Sequence, residues 1–274
     1  MAFSRRAAIK GVLVTAVGAV TGAGTYGLGY ERHHLGLTQA EMAVSGLAPA
    51  LDGLRIGLIT DIHHSQMVSA ELVTRAVALV RAQLPDLIVL GGDYVTWGDK
   101  DYVEPVAELL APLSAPHGVF AILGNHDNDR DMPAALAARG ITVLRDARTR
   151  LEIRREGLEL AGIRFWTRKP EDIARVLRRA KDTVLLLAHD PRRLTEAAAL
   201  DVPAVLSGHT HGGQIVLPGF GALARRNFPV LAGLATLDNT SMFVSRGVGT
   251  VYVPVRINCP PEVAIVTLRR QSRI

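Results

Sequence analysis

Residue types that bind metal ions recur at one kind of position in this chain, directly after short apolar runs. Following five such runs in order, they are Asp61 and His63, then Asp93, then Asn125, His126 and Asp127, then His189, and finally His209 and His211. Short apolar runs of this kind predict buried strands. Because open α/β sheets bind ligands where the carboxyl ends of strands meet, we expect these side chains to face one crevice.

The donor atoms in this group indicate borderline transition metals. Carboxylate, amide and imidazole donors suit Mn, Fe, Zn or Ni better than they suit a calcium cage or a thiolate zinc site. The candidate ligands are Asp61, His63, Asp93, Asn125, His189, His209 and His211. They exceed the needs of one ion, and two ions that share a carboxylate, about 3.5 to 4 Å apart, can activate water for attack on phosphorus. His126 is then available to protonate the leaving oxygen.

Strand and helix patterns alternate along the chain and would position these residues. The five apolar runs lie at 54–60, 87–90, 119–123, 184–188 and 204–206. Helical patterns include one that Ser69 can cap and Pro85 ends, and others at 102–111, 132–139 and 170–200. Residues 151–163 predict a hairpin, and short β-rich pieces follow at 214–217, 242–245, 251–255 and 263–268. We therefore expect an α/β domain with a central pair of sheets flanked by helices.

The composition excludes several classes of protein. With 274 residues, 48% of them apolar and 21% charged, the chain suits one large or two small domains, not a coiled coil or a disordered chain. Its single cysteine, Cys259, excludes an intramolecular disulfide scaffold. Aromatic residues make up only 5% and no basic run is interleaved with them, so no nucleic-acid partner is expected.

The first 35 residues predict a targeting segment. Residues 4–10 carry two arginines and a lysine and resemble a twin-arginine signal, although Ala8 and Ile9 stand where that signal prefers Phe and Leu. The uncharged stretch from Gly11 to Tyr30 is long enough to cross a bilayer as a helix, and a buried helix of the main domain is the alternative. Cations before the stretch favour a domain on the outer side of the cytoplasmic membrane. We expect a signal or membrane anchor at 1–35, a domain at 36–274, and the membrane and the export machinery as partners.

The polar groups also carry a family resemblance. Asp61-Ile62-His63, Gly92-Asp93, Gly124 to Asp127, His189 and Gly208 to His211 resemble, in order, the five blocks of the calcineurin-like metallophosphoesterase superfamily. The match spans residues 54–212. Beyond it, residues 212–214, 244–249 and 254–262 are similar to a bacterial branch whose members often carry a membrane or twin-arginine N-terminus.

This resemblance implies a fold and a set of roles. The fold would be a four-layer αββα sandwich with two mixed β-sheets. Asp61, His63 and His211 would hold one metal, and Asn125, His189 and His209 the other, with Asp93 bridging the two. His126 would be the general acid, and Asp127 would either orient His126 or cap the following helix.

The expected function is a dinuclear phosphoesterase acting on a phosphodiester, phosphomonoester or pyrophosphate, with the substrate in the membrane or cell envelope. One alternative is UDP-2,3-diacylglucosamine hydrolysis in lipid A synthesis, which the branch resembles, although UDP-sugars are cytoplasmic. The other is a scaffold of the same fold without catalysis, which would not need His126 and a full ligand set.

Several other polar residues permit a functional and a structural interpretation. Arg246 and Arg256 could bind substrate phosphate, but loop arginines are more often surface residues. Cys259 is expected to be a packed small side chain rather than a nucleophile. His64 is expected at the surface, and His33 and His34 in solvent.

Overall fold

A computed structural model describes residues 21–22, 24–222 and 227–271. Residues 24–29 are helical. Most of the predicted targeting segment, residues 1–20 and 23, lies outside the described part. Among the residues that are described, no helix has the length and apolar character needed to span a bilayer.

Strands and helices alternate as the apolar runs predict. The strands are β1 (Gly36–Val44), β2 (Arg55–Ile59), β3 (Leu87–Leu90), β4 (Val119–Ala121), β5 (Thr142–Val143), β6 (Ala147–Ile153), β7 (Glu156–Gly162), β8 (Thr183–Leu187), β9 (Ala204–Ser207), β10 (Val216–Leu217), β11 (Gly221–Ala222), β12 (Gly233–Leu237), β13 (Thr240–Val244) and β14 (Glu262–Arg270). The helices after residue 30 are α1 (Ala70–Arg81), α2 (Val103–Leu110), α3 (Asp131–Ala137), α4 (Pro170–Leu177) and α5 (Leu194–Ala199).

Two six-stranded mixed sheets form the centre of the molecule. The first has the order β1-β14-β2-β3-β4-β5, with β14 antiparallel to β2 and the other pairs parallel. The second has the order β12-β13-β9-β8-β7-β6, parallel from β13 to β7 and antiparallel at both ends. As a result, the carboxyl ends of β2, β3 and β4 in one sheet and of β8 and β9 in the other are free to carry a site.

The sheets pack face to face between two layers of helices. One buried cluster joins side chains of both sheets, among them Leu58 and Val89 from the first and Leu160, Leu187 and Phe243 from the second. A second cluster packs α1, α2 and α3 on the outer face of the first sheet, and a third packs α4 and α5 on the second. The predicted sandwich with two mixed sheets is confirmed.

Helix α1 shows how the sequence determines an element. The Ser69 side chain accepts a hydrogen bond from the Leu72 amide, which caps the first turn. The buried residues of α1 are Leu72, Val73, Ala76, Val77 and Val80, at the three- and four-residue spacing that forms one helix face. The predicted start at Ser69 is therefore confirmed.

Two sequence predictions of secondary structure were wrong. Residues 251–255 form a loop and not a strand. The Gln214 side chain donates to the carbonyls of Val251 and Val253 and accepts from the Val251 amide, so it replaces a strand partner. The helical pattern at 170–200 is divided into α4 and α5, because β8 lies between them.

Candidate metal centre

The candidate ligands come together at the carboxyl ends of both sheets. Their loops follow β2, β3 and β4 in the first sheet and β8 and β9 in the second. The ligands with left-handed backbone, which is uncommon for residues other than glycine, are Asp61, His63, Asp93, His209 and His211, with φ between 49° and 71°. Backbone of this kind concentrates at functional sites, where surrounding structure holds it in place.

Asp61, His63 and His211 form a first ligand group. One donor atom from each residue lies within 4.8 Å of the others, and all three residues are buried. The Nε2 atoms of His63 and His211 are 3.1 Å apart, and His211 Nε2 lies 3.5 Å from Asp61 Oδ1. Three donors that converge in this way leave a fourth position for water or substrate on a bound ion.

Asp93, His189 and His209 form a second ligand group by the same measure. His189 Nε2 lies 3.1 Å from Asp93 Oδ2. The Nδ1 atom of His189 is 2.7 Å from the Gly91 carbonyl, to which it donates its proton. That bond leaves Nε2 as the ligand atom of the neutral ring, which is how histidine ligands are usually oriented.

Asp93 connects the two groups. Its Oδ2 atom lies 3.1 Å from His189 Nε2 in the second group and 3.5 Å from His63 Nε2 in the first. A carboxylate placed between two sets of imidazoles is suited to bridging two cations. The geometry therefore fits the bridging role that the family resemblance implies for Asp93.

Two orphaned polar atoms support a metal at this position. Asn125 Oδ1 and His189 Nε2 are both buried, and neither makes a hydrogen bond of normal geometry, although Asp93 Oδ2 lies 3.1 Å from His189 Nε2. A buried polar atom without a partner costs about 1 to 3 kcal/mol, so each such atom requires an explanation. A cation bound by the second group would accept both lone pairs, which also adds Asn125 to the ligand set.

Burial tunes the ionisation of these ligands. It lowers the pKa of His63 and of His209 to about 4, which keeps both imidazoles neutral and able to bind metal at neutral pH. Burial raises the pKa of Asp61 to about 6. For Asp93, burial raises the pKa, but the combined effect of His189, His63 and His126 outweighs burial and holds the pKa well below its usual range.

His126 contacts the ligand groups without belonging to either. Its amide donates to Asp93 Oδ1 at 2.8 Å. Its Nδ1 accepts from the Trp97 amide at 3.2 Å, so the neutral ring carries its proton on Nε2. Burial lowers the pKa of the ring. His126 also lines a cavity of about 390 Å³ over the ligands, so it can present a hydrogen to a bound molecule.

Asp127 has a role that differs from both sequence-based alternatives. Its Oδ2 accepts from the amides of Asp93 and Gly124, and its Oδ1 accepts from the Tyr94 amide, all at 2.7 to 2.8 Å. The residue that caps the turn into α3 is Asn128, whose Oδ1 accepts from the Arg130 and Asp131 amides. Asp127 therefore ties the loop after β3 to the loop after β4. The sequence could not reveal this, because its partners are backbone amides.

The side chains of the two candidate arginines form hydrogen bonds and an ion pair within the protein itself. Arg256 is fully buried and donates to the carbonyls of Arg246, Gly249 and Cys259. The Arg246 guanidinium is paired with Glu262. A substrate-binding role for either side chain is not supported. Arg256 instead organises the loop after β13.

That loop supports the first ligand group. The Val248 amide donates to the Thr60 carbonyl, and the Gly249 amide donates to the Asp61 carbonyl at 2.7 Å. The Thr60 hydroxyl donates to Asp61 Oδ2 at 2.6 Å. This supporting loop was not predicted from the sequence, in which the closely spaced Gly247 and Gly249 were the available signal.

The remaining single predictions have mixed outcomes. Cys259 is buried and packed as expected, and His33 and His34 are exposed as expected. The prediction for His64 was wrong. It is 6% exposed, and its Nδ1 lies 2.9 Å from the Val68 carbonyl, so it is a structural residue of the loop before α1.

Comparison with known proteins agrees with this geometry. The family model of the calcineurin-like phosphoesterases matches residues 54–213. The chain is 31% identical to the uncharacterized metallophosphoesterase YkuE of Bacillus subtilis, over 97% of this chain and 98% of that protein. It is 32% identical to phosphodiesterase YaeI of Escherichia coli, over 78% and 82%.

Solved structures share the fold. The protein TT1561 of Thermus thermophilus matches with a TM-score of 0.50 and 11% identity, over 72% of this chain and 90% of that one. At such low identity the likeness shows the fold alone. The family match, however, covers every metal-ligand loop described above. The chain therefore belongs to the calcineurin-like phosphoesterase family and is a phosphoric ester hydrolase.

Proposed function

We propose that this protein is a phosphodiesterase that uses two divalent transition-metal ions. The observation that carries the proposal is the sharing of Asp93 between two converging ligand groups. The name of the relative YaeI, phosphodiesterase, favours a diester over a monoester or a pyrophosphate.

The donor set supports one site for each of two ions. Asp61, His63 and His211 would hold one and Asn125, His189 and His209 the other, with Asp93 shared. Bound there, the metals would supply an activated water and neutralise charge on the phosphoryl oxygens. Mn, Fe, Zn and Ni all suit mixed nitrogen and oxygen ligands.

Residues of the chain would act on the leaving oxygen, position the ligand loops and enclose the substrate. His126 presents the hydrogen on Nε2 to the oxygen that leaves phosphorus. Asp127 holds the loops that carry Asp93 and Asn125 in register. The cavity wall, with Phe228, Tyr252 and Val253, surrounds the part of the substrate beyond the phosphate.

A substrate comparison tests this function. The full chain, loaded in turn with each metal, should hydrolyse bis(p-nitrophenyl) phosphate faster than p-nitrophenyl phosphate or UDP-2,3-diacylglucosamine. His209→Ala should abolish hydrolysis, whereas His117→Ala, at the amino end of β4 and away from the ligand loops, should not. Faster cleavage of the nucleotide sugar would favour the lipid A alternative, and inactivity with full metal loading would favour a scaffold.

We also propose that residues 1–35 direct the domain to the outer side of the cytoplasmic membrane. Support comes from the two arginines before the uncharged stretch at 11–30. Replacing Arg5 and Arg6 by lysine should retain the protein in the cytoplasm, and a reporter fused after Ile274 should show on which side the domain lies. Unchanged export of the lysine variant would point to a different route.

A further inference from the structure

Large apolar side chains are exposed at the metal-site cavity, which Tyr252 and Val253 line, and on the segments next to it. We name this set the apolar collar, and it consists of Tyr26, Leu28, Trp97, Phe220, Tyr252 and Val253. Phe220 is 88% exposed, and Trp97 and Tyr252 are each 68% exposed. Exposed apolar side chains that are grouped, rather than scattered, usually mark a contact surface.

The segments that carry the collar are joined to one another. The Arg256 amide donates to the Gly27 carbonyl, which places the helical residues 24–29 against residues 255–257. The Val216 amide of the β10–β11 hairpin donates to the Ile257 carbonyl. Gln214, just before that hairpin, binds the carbonyls of Val251 and Val253. The segments that carry Tyr26, Leu28, Phe220, Tyr252 and Val253 therefore adjoin one another beside the cavity.

Trp97 and Tyr252 are held in the exposed position by their backbone. Both have left-handed φ values, 55° and 63°, which are rare for aromatic residues. Their rings meet at 5.4 Å and at an angle of 64°, and the Trp97 ring packs 4.6 Å from that of His126. Strained backbone that keeps two aromatic rings in solvent beside a proton donor indicates a role for those rings.

The surroundings of the collar favour a lipid bilayer as its partner. The helical residues 24–29, which carry Tyr26 and Leu28 of the collar, belong to a stretch, 11–30, that has no charged side chain. Arg32 and Arg75 lie just beyond it and form no ion pair within the described residues. Aromatic and aliphatic side chains flanked by cations are typical of surfaces that bind anionic membranes.

The contact between the two rings argues against a nucleotide. A base sandwiched between two aromatic rings needs parallel ring faces with room for the base between them. Trp97 and Tyr252 instead touch each other at a steep angle, and Phe220 and Val253 extend the surface without adding a stacking partner.

We propose that the apolar collar docks on the head-group layer of a bilayer, so that the cavity receives phosphate esters of membrane amphiphiles. This inference rests on the proposed phosphodiesterase function and defines its substrate class. It differs from anchoring by residues 1–35, because it requires the collar itself to contact lipid.

Tryptophan fluorescence tests the contact directly. The chain has two tryptophans, so Trp166→Phe leaves Trp97 as the only reporter. With vesicles of phosphatidylcholine and phosphatidylglycerol brominated in the upper acyl chain, we expect Trp97 emission to fall by about half. The matched reporter is Leu84→Trp in a chain with Trp97→Phe and Trp166→Phe. Leu84 is 81% exposed at the amino end of β3, opposite the site, and should not be quenched.

An activity comparison separates docking from catalysis. Phe220→Asp should slow hydrolysis of a phosphodiester amphiphile in vesicles about tenfold, since a charged side chain would replace an apolar one that lipid would bury. Hydrolysis of soluble bis(p-nitrophenyl) phosphate should not change. Leu84→Asp is the matched control and should affect neither substrate.

The outcomes distinguish the two proposals. Vesicle-bound protein with unquenched Trp97 would overturn docking by the collar and leave the phosphodiesterase function intact. Quenched Trp97 without hydrolysis of any phosphate ester would overturn the function instead. Quenching of Trp97 by a soluble nucleotide, without any by brominated lipid, would replace the bilayer with a stacked base and also overturn the docking proposal.

Discussion

The three polar residues after β4 make three different kinds of contact. Asn125 offers a buried oxygen with no hydrogen-bond partner, His126 presents a ring hydrogen to the cavity, and Asp127 binds backbone amides. The sequence was sufficient to predict that these residues belong to the site, because residue type and position after a strand limit their chemistry. It was not sufficient to predict the role of Asp127, since backbone amides have no signature in a sequence.

His126→Ala should separate proton donation from metal binding. We expect both metals to remain bound and turnover of an alkyl diester to fall about 10² to 10⁴ fold, the usual contribution of general acid catalysis. An activated nitrophenyl ester should be affected much less, because nitrophenolate leaves without a proton. Elemental analysis and the two rate constants check this. Loss of metal, or equal slowing of both esters, would assign His126 to the ligand set or to substrate positioning.

Asp127→Asn should weaken metal binding without removing a ligand. The amide group of Asn can offer one acceptor atom where the carboxylate accepts from the Asp93, Gly124 and Tyr94 amides on two oxygens. We expect metal affinity to fall about 10 to 100 fold, as for other residues that orient metal ligands. Titration of metal-free protein measures this. Asp129→Asn, at an exposed position, is the control. An equal loss of metal affinity in both variants would argue that the Asp127 hydrogen bonds between the loops after β3 and β4 do not position the ligands.

At the scale of elements, β2, β3, β8 and β9 were predictable because each is a nearly continuous apolar run, as parallel strands buried on both faces require. Strand β1 was not predictable, since its residues are mixed and only two of the nine are buried. It pairs with β14, more than 200 positions away in the chain. The loop after β13 was likewise not assigned, because its partner, the Asp61 segment, is also far away in the sequence.

Gly249→Ala tests the support that this loop gives to the first ligand group. A Cβ atom at Gly249 would overlap the Ile62 carbonyl, between Asp61 and His63. We expect the ligand loop to shift and the metal content to fall by about one ion per chain. Gly36→Ala is the control, because its added Cβ would lie 3.8 Å from the Pro261 carbonyl, an ordinary contact. Full metal content in Gly249→Ala would show that the loop after β13 does not position Asp61.

At the scale of the molecule, each ligand group draws on both sheets. The first combines the loops after β2 and β9, and the second combines those after β3, β8 and β9. Bound metals would therefore cross-link the two sheets at one end of the sandwich. The apolar core between the sheets holds them together elsewhere. The resemblance implied the sandwich, whereas composition and periodicity alone predicted only paired sheets with helices.

Removal of metal should consequently lower the stability of the whole domain. A ligand present at 100 times its dissociation constant contributes about 2.7 kcal/mol, and each kcal/mol shifts the Tm of a domain of this size by about 2 to 4 °C. We expect a chelator to lower the Tm by about 5 to 10 °C and added metal to restore it. An unchanged Tm would mean that the metals do not stabilise the packing of the two sheets.

The central claim is that each chain binds two metal ions that share Asp93, and metal content tests it most directly. Protein purified without chelator should contain close to two equivalents of transition metal per chain by elemental analysis. Asn125→Ala and His189→Ala should each lower that number towards one, because both residues belong to the same ligand group. A wild-type content of one ion that neither substitution changes would contradict the account.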